Sequence, residues 1–130
     1  MAVLETSFLI DLLKNKERAV EVLKSIEDSE KEIFIASPSI MELWHGAIIS
    51  SFPDREKNKV LGMINSISEI SFDSESAMKS AEILNYLKTK GLPIELPDVM
   101  IAAIALVNGE KIITRDEHFT RIPGLMVLKY

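Results

Sequence analysis

The residues of this sequence best suited to chemistry are four carboxylates that lie far apart along the chain. They are Glu5, Glu42, Asp98 and Asp116. If a fold brings them together, their mutual repulsion has to be neutralised by protons or cations. An all-oxygen ligand set suits Mg²⁺ or Mn²⁺ rather than zinc. Because Mg²⁺ also takes water and phosphate oxygens, such a site would favour phosphodiester chemistry, in which the metal activates water and stabilises the leaving oxygen.

Two of these acids, Asp98 and Asp116, flank the central unit of the chain. Residues 99–107 are wholly apolar, which predicts a helix that is buried on every side. The pair 108–109 (Asn-Gly) is expected to end this helix, because Gly adopts the left-handed conformation without a Cβ penalty. A short buried strand is predicted over 111–114. The two carboxylates therefore stand at the edges of a helix–turn–strand unit in the core.

Short strands alternate with helices along the whole chain. Strands are predicted over 2–4, 33–36, 69–72, 111–114 and 125–128. Helices are predicted over 8–13 (capped by Thr6 or Ser7), 17–28, 38–50 (capped by Ser37), 54–66, from 74 or 76 to 90, and 98–107. Such alternation indicates parallel strand pairing and an α/β sandwich. Ligands of these sheets bind beyond the carboxyl ends of the strands, where strand order reverses, so the four acids are expected to converge at one edge.

Each acid also has a purely structural interpretation. Asp98 and Asp116 can cap helices, a contribution of about 0.5–2 kcal/mol. Glu42 can form a capping box with Ser39, and Glu5 can be a solvated strand end. Each alternative is reasonable on its own. If all four were correct, however, the predicted convergence of the four acids would be a coincidence.

The two histidines and several basic residues have simple surface interpretations. His45 follows Glu42 at the Glu-x-x-His spacing of di-iron proteins, but those bundles need two such pairs, so a structural or surface role is expected. His118 has no evident partner and is expected to pack near Phe119. If the chain contacts RNA, the expected residues are Lys14, Lys16 and Arg18 beyond the first helix, and Arg115 beside the last acid. Basic residues near the acids, such as Lys14 and Arg115, can instead dock the acidic side chains of a protein partner.

Composition limits the class of protein. The chain has 130 residues, 47% of them hydrophobic, which predicts a single domain over 1–130 rather than disorder. No apolar stretch approaches the roughly 20 residues of a membrane span, and no secretion signal is evident, so we expect a cytoplasmic protein. The absence of cysteine excludes disulfides and thiolate metal sites. The net charge of −5 disfavours binding nucleic acid over a broad surface, so a phosphate-bearing partner would need a local basic patch or bridging metal ions.

Four blocks of the sequence carry a family resemblance. They are 4–11 (LETSFLID), 37–43 (SPSIMEL), 97–103 (PDVMIAA) and 113–119 (ITRDEHF). In order and spacing they resemble the PIN-domain family, and most closely its VapC-type toxins. The resemblance implies a three-layer α/β sandwich with a central five-stranded parallel sheet. It also implies a Mg²⁺- or Mn²⁺-dependent endoribonuclease acting on RNA, a homodimer, and inhibition by a cognate antitoxin whose peptide docks by the active site.

Residue by residue, the resemblance assigns Glu42, Asp98 and Asp116 as acidic metal ligands. It places Thr6 and Thr114 at hydroxyl positions near the site. The first acidic position of the family is ordinarily Asp, whereas this chain has Glu5, whose carboxylate extends about one C–C bond further. Two functions therefore stay open: a nuclease that uses Glu5 as a fourth catalytic ligand, and a weakened or inactive PIN-fold binding module.

A third interpretation is a phospho-acceptor receiver domain, which is also doubly wound and holds Mg²⁺ on carboxylates. That fold needs a pair of acids after its first strand and an Asp at the end of its third. Here Glu5 is followed by Thr6 and Ser7, and Asp73 follows a weak strand. The sequence therefore disfavours this alternative.

Overall fold

A parallel sheet of five strands in the order β3-β2-β1-β4-β5 forms the centre of the molecule. The computed structural model describes residues 2–29 and 32–130. The strands are β1 (Ala2–Leu4), β2 (Ile33–Ala36), β3 (Ser68–Ile70), β4 (Lys111–Thr114) and β5 (Val127–Lys129). All four strand pairings are parallel, as the alternating pattern predicts.

Helices cover both faces of this sheet. They are α1 (Thr6–Leu13), α2 (Glu17–Ser29), α3 (Ser37–Ile48), α4 (Pro53–Ser66), α5 (Ser74–Lys90) and α6 (Leu96–Val107), followed by a 3₁₀ turn at Glu117–Arg121. Side chains alternate across a strand, so Val3 and Ile112 pack with α5 and α6, whereas Leu4 and Ile113 pack with α1 to α4. The predicted three-layer α/β sandwich is confirmed.

The buried helix predicted from the apolar run is α6. Its residues from Ile101 to Ala105 have no exposed surface, because α5 and the sheet enclose them. Asn108 follows as the C-cap residue, and Gly109 has a φ of 65°, the left-handed conformation expected there. This rigid helix positions Asp98, which lies in its first turn.

Several element boundaries differ from the prediction. The third and fifth strands were predicted over 69–72 and 125–128 but are shorter and shifted. Helix α3 begins at Ser37 and ends at Ile48, and the predicted Ser37 cap is wrong: the cap residue is Ala36. The Ser37 hydroxyl instead accepts a hydrogen bond from the Phe72 backbone N–H at 3.1 Å. The Ser37 hydroxyl therefore contacts a residue 35 positions away in sequence and does not cap its own helix.

The receiver-domain alternative does not agree with this topology. Receiver-type sheets have the order 2-1-3-4-5, whereas β3 is an edge strand here. Asp73 caps α5 by accepting from the Ser76 backbone N–H at 2.9 Å. Within residues 2–29 and 32–130, no helix is long and apolar enough to cross a membrane.

Candidate metal centre

The order of the strands reverses between β1 and β4. From β1 the chain adds β2 and β3 on one side, and it then adds β4 and β5 on the other. The carboxyl ends of β1 and β4 therefore border the crevice where ligands of such sheets bind. Glu5 directly follows β1, its backbone N–H donates to the Ile113 carbonyl at 3.0 Å, and Asp116 lies two residues beyond β4.

Glu5 is buried and held by three donors. One carboxylate oxygen, Oε2, accepts from the Ser7 backbone N–H at 3.0 Å, from the Ser7 hydroxyl at 2.5 Å and from the Thr114 hydroxyl at 2.6 Å. Glu5 is therefore the N-cap of α1, so the predicted Thr6 or Ser7 cap is wrong. The solvated strand end is also wrong, since only 3% of Glu5 is exposed. Burial raises the pKa of Glu5, the hydroxyl donors oppose this, and the charge of Glu42 adds to it.

Glu42 is oriented by a neighbouring hydroxyl. The Thr6 hydroxyl donates to Glu42 Oε1 at 2.7 Å and lies 2.8 Å from the buried Ser39 hydroxyl. The alternative interpretation of Glu42, a capping box with Ser39, is wrong, because α3 begins two residues before Ser39. The Thr6 side chain on α1 therefore contacts two side chains on α3, Ser39 and Glu42, at the site.

Asp98 is surrounded by the other acids. Burial, followed in order by the charges of Glu5, Glu42, Asp116 and Glu95, raises its pKa to about 7. Asp98 does not cap α6: the N-cap residue is Glu95, and among the described residues no side chain caps this end. The charges of the other three predicted acids therefore all act on Asp98, whereas the group with ligand atoms within 4.8 Å of one another includes Asp98 and Asp116 but neither Glu5 nor Glu42. The capping interpretation of Asp98 is wrong.

Asp116 lies beside Asp98 and has a structural contact as well. Its Oδ1 accepts from the His118 backbone N–H at 2.9 Å, which caps the 3₁₀ turn as predicted. Its own backbone N–H donates to the Thr114 hydroxyl at 2.9 Å. His118 Nδ1 lies 3.0 Å from Asp116 Oδ1, so the prediction that His118 lacks a partner is wrong. Ligand atoms of Asp98, Asp116 and His118 all lie within 4.8 Å of one another.

The basic residues predicted to contact RNA include Arg115 and Lys14, and their RNA contacts stay a prediction. Arg115 Nε donates to Asp11 Oδ2 at 3.0 Å, and the Tyr130 hydroxyl donates to the same oxygen at 2.7 Å. Burial tends to raise the pKa of Asp11, but these hydrogen bonds outweigh it and hold the pKa below its usual value. Lys14 lines a groove between α1, α3 and α4. His45 is exposed on α3, as predicted.

Sequence reasoning missed Ser7, Ser39 and His118 as parts of this site. Ser7 and Ser39 lie in the blocks that carry the family resemblance, but they were considered only as helix caps. His118 is two residues after Asp116, where an acidic cap folds the chain back over its own carboxylate. That local rule could have identified His118 as a neighbour of the acids.

The donor set fits a divalent cation. The ligand atoms of Asp98, Asp116 and His118 are near enough to share one ion, because two ligands with bonds of about 2.0–2.6 Å lie at most about 5 Å apart. Oxygen donors predominate, and burial together with the negative charges of the neighbouring acids raises the pKa of Asp98. The site can therefore bind a hard cation and, through it, a phosphate oxygen.

Comparison with known proteins agrees with this geometry. The PIN domain family model matches residues 2–125. Over 125 residues the chain is 31% identical to the tRNA(fMet)-specific endonuclease VapC of Salmonella typhimurium, covering 95% of this chain and 93% of that protein. The crystal structure of DNA-bound VapBC from Salmonella typhimurium gives a TM-score of 0.90 at 29% identity, covering 98% of this chain and 96% of that chain.

A second solved structure has the same fold. VapBC2 from Rickettsia felis, bound to a DNA fragment from its promoter, gives a TM-score of 0.91 at 23% identity and covers 99% of this chain and 98% of that chain. The chain belongs to the PIN-domain family. Its branch of that family is the VapC-type toxin ribonucleases.

Proposed function

We propose that this chain is a Mg²⁺- or Mn²⁺-dependent endoribonuclease and the toxin of a toxin–antitoxin pair. The observation that carries the proposal is the group of acids whose charges and burial raise the pKa of Asp98 to about 7. A divalent cation stabilises such a group and can bridge it to a phosphodiester. We assign the metal-ligand and catalytic roles to Glu5, Glu42, Asp98 and Asp116.

The remaining residues of the site act on these acids. Ser7 and Thr114 hold Glu5, and Thr6 holds Glu42. When bound, the cation supplies Lewis-acid polarisation and an activated water. In the overall hydrolysis a water oxygen bonds to phosphorus, one P–O bond to ribose breaks, and the departing oxygen takes up a proton. The chain's part is to fix the ligand oxygens so that little reorganisation is needed.

RNA is the proposed substrate. The net charge of −5 makes a broad electrostatic RNA surface unfavourable, so a metal-bridged contact is the physically reasonable one. The relative from Salmonella typhimurium is named a tRNA(fMet)-specific endonuclease. Initiator tRNA is therefore the first substrate to test.

Glu5 raises the alternative of an inactive binding module. Its carboxylate is held by three donors at the site, and its charge is the largest electrostatic contribution to the raised pKa of Asp98. These contacts support a ligand role, so we favour the nuclease. If Glu5→Asp creates cleavage that the parent chain lacks, the binding module becomes the better interpretation.

The decisive experiment compares two aspartates. We expect end-labelled initiator tRNA to be cleaved by the wild type with Mn²⁺, and cleavage to be lost with EDTA or with Asp98→Asn. Asp28→Asn changes an exposed acid on α2 and should leave cleavage unchanged. Equal cleavage by the wild type and Asp98→Asn would point to a contaminating nuclease and reject the proposal.

An antitoxin peptide is the proposed occupant of the groove between α1, α3 and α4. The groove has a volume of about 630 Å³ and includes Glu42 among its lining residues, so it adjoins the acidic group. Leu13 and Val60 give it apolar walls, and Lys14 and Arg55 supply positive charge. A peptide with apolar anchors and acidic side chains matches this lining.

Three further expectations belong to this proposal. A homodimer is expected from the family, and light scattering of the purified chain tests it. A single domain over 1–130 is supported by the one sheet to which the described strands belong. A cytoplasmic location agrees with an RNA substrate.

A further inference from the structure

His118 lines a crevice together with Asp98 and Asp116, although neither the family resemblance nor the proposed mechanism assigns it a role. The crevice has a volume of about 360 Å³, and Glu95, Asp98, Asp116 and His118 are its polar lining residues. Half of the His118 side chain is exposed, so burial in the core does not explain where it lies. Its neighbour Phe119 is fully buried and anchors the 3₁₀ turn.

The backbone holds His118 in this position. The His118 backbone N–H donates to Asp116 Oδ1 at 2.9 Å, which folds the turn over the carboxylate. The same oxygen lies 3.0 Å from the imidazole Nδ1. Replacement of the side chain leaves the backbone hydrogen bond in place, so the turn can be kept while the imidazole is removed.

The spacing of these atoms suits two ligands of one ion. His118 Nδ1 and Asp116 Oδ1 contact each other directly at 3.0 Å, the length of a hydrogen bond. Two adjacent ligands of an octahedral ion with bonds of about 2.1 Å lie about the same distance apart. The Asp98 carboxylate completes a group whose ligand atoms are within 4.8 Å of one another. The three side chains can therefore share one cation with small adjustments.

We propose that His118 supplies a nitrogen ligand to the metal centre and thereby biases it away from Mg²⁺ and toward first-row transition ions such as Mn²⁺ and Co²⁺. Mg²⁺ takes oxygen ligands and keeps its waters, whereas imidazole suits transition ions, and affinities for them rise along the series from Mn²⁺. This inference rests on the proposed metal-dependent function. It adds the residue that determines metal preference.

The test measures metal binding directly rather than activity. Calorimetric titrations with Mn²⁺, Co²⁺ and Mg²⁺ compare the wild type with His118→Asn. We expect the variant to lose about tenfold in affinity for Mn²⁺ and Co²⁺ and much less for Mg²⁺, so that the Mn²⁺-to-Mg²⁺ preference falls about tenfold. His45→Asn is the matched control, because His45 is the other histidine of the chain and is exposed on α3.

Electron spin-echo spectroscopy of the Mn²⁺ complex reports the ligand itself. The wild type and His45→Asn should show modulation from a directly bonded ¹⁴N, and His118→Asn should lose it. If Mn²⁺ binds the wild type without nitrogen modulation and with an unchanged metal preference in His118→Asn, His118 is not a ligand and the inference is overturned. If the wild type binds neither Mn²⁺ nor Mg²⁺, the proposed function itself fails.

Discussion

The Thr114 hydroxyl connects two of the acids through one oxygen atom. It donates to Glu5 Oε2 at 2.6 Å and accepts from the Asp116 backbone N–H at 2.9 Å. Thr114 has no exposed surface, so water cannot replace these contacts. The residue therefore couples the first acid after β1 to the acid after β4.

Thr114→Val keeps the shape of this side chain and removes its hydrogen bonds. We expect Mn²⁺ affinity to fall about 10–100-fold, the usual effect of losing a partner that orients a ligand. We also expect the free energy of unfolding to fall by about 1–3 kcal/mol, because a buried carboxylate and a backbone N–H lose partners. Calorimetry and urea denaturation measure the two effects.

Thr89→Val is the matched control for this prediction. Thr89 is exposed and its hydroxyl contacts the Tyr86 carbonyl within α5. Lower stability with unchanged Mn²⁺ affinity in Thr114→Val would show that Thr114 is only structural.

Asp98 makes the metal-free protein sensitive to pH. Its pKa rises from 3.8 to about 7 on folding, so the folded chain binds more protons between these values. The free energy of unfolding therefore falls as pH rises through that window. Asp98→Asn stays neutral, and in EDTA at pH 8 we expect it to be more stable than the wild type by about 1 kcal/mol, a figure discounted for partial exposure.

Two controls limit this prediction. At pH 4 the wild type and Asp98→Asn should have similar stability, because Asp98 is then protonated in the fold. Addition of Mn²⁺ at pH 8 should reverse the order, since a ligand at 100 times its dissociation constant stabilises the wild type by about 2.7 kcal/mol. An Asp98→Asn protein that is less stable than the wild type in EDTA at pH 8 would contradict the predicted charge repulsion.

At the scale of elements, α1 is tied to the two strands at one side of the sheet. Asp11 on α1 accepts hydrogen bonds from Arg115, just beyond β4, and from Tyr130, just beyond β5. The Tyr130 ring also packs edge-on against Phe8 with centroids 4.9 Å apart. The contacts of Asp11 therefore hold the chain segment that bears Thr114 and Asp116 against α1.

Tyr130→Phe removes one hydroxyl and keeps the ring contact. We expect the free energy of unfolding at pH 7 to fall by about 1–2 kcal/mol, because a largely buried carboxylate loses a donor. The lowered pKa of Asp11 gives stability that is present above its unfolded value of 3.8 and is lost as pH falls through the folded pKa. The difference between wild type and variant should thus shrink in acid. Urea denaturation at pH 7 and pH 2.5 measures the difference in free energy of unfolding between wild type and variant. A difference that is the same at both pH values would contradict this origin.

At the scale of the whole molecule, α3 serves two surfaces. Glu42 belongs to the acidic group and also lines the groove that we propose for the antitoxin, which continues along α3 past Gly46 to Ser50. An antitoxin in this groove would lie beside the metal centre. An antitoxin that blocks access to the metal centre in this way would inhibit RNA cleavage without a conformational change of the chain.

Gly46→Glu tests this arrangement. A Cβ at Gly46 meets no atom within 4 Å, so the substitution adds bulk and negative charge to the groove without disturbing the core. We expect at least tenfold weaker inhibition by the cognate antitoxin, measured by titration into the tRNA cleavage assay, with cleavage itself retained. Gly62→Glu is the control, because Gly62 is also helical with open space and does not line the groove. Equal inhibition of both variants would exclude this groove as the docking surface.

The sequence by itself determined the layers of the fold and the types of residue at the site. The apolar run before Asn108 has no polar face to offer to water, and this alone predicted the largely buried helix α6. Alternation of strands and helices predicted parallel pairing, because a helix that connects two strands lets them run in the same direction. Position after a strand or at a helix start was enough to place Glu5, Asp98 and Asp116 at one edge.

Only the tertiary structure decided which side chains hold these acids. The Thr114 hydroxyl reaches Glu5 across 109 positions of sequence, and Thr6 reaches Glu42 across 36. Both contacts depend on β1 lying between β2 and β4, an order that no local pattern encodes. Local preferences for caps therefore misassigned Ser37 and Asp98, because their side chains face groups that are distant in sequence and near only in the folded chain.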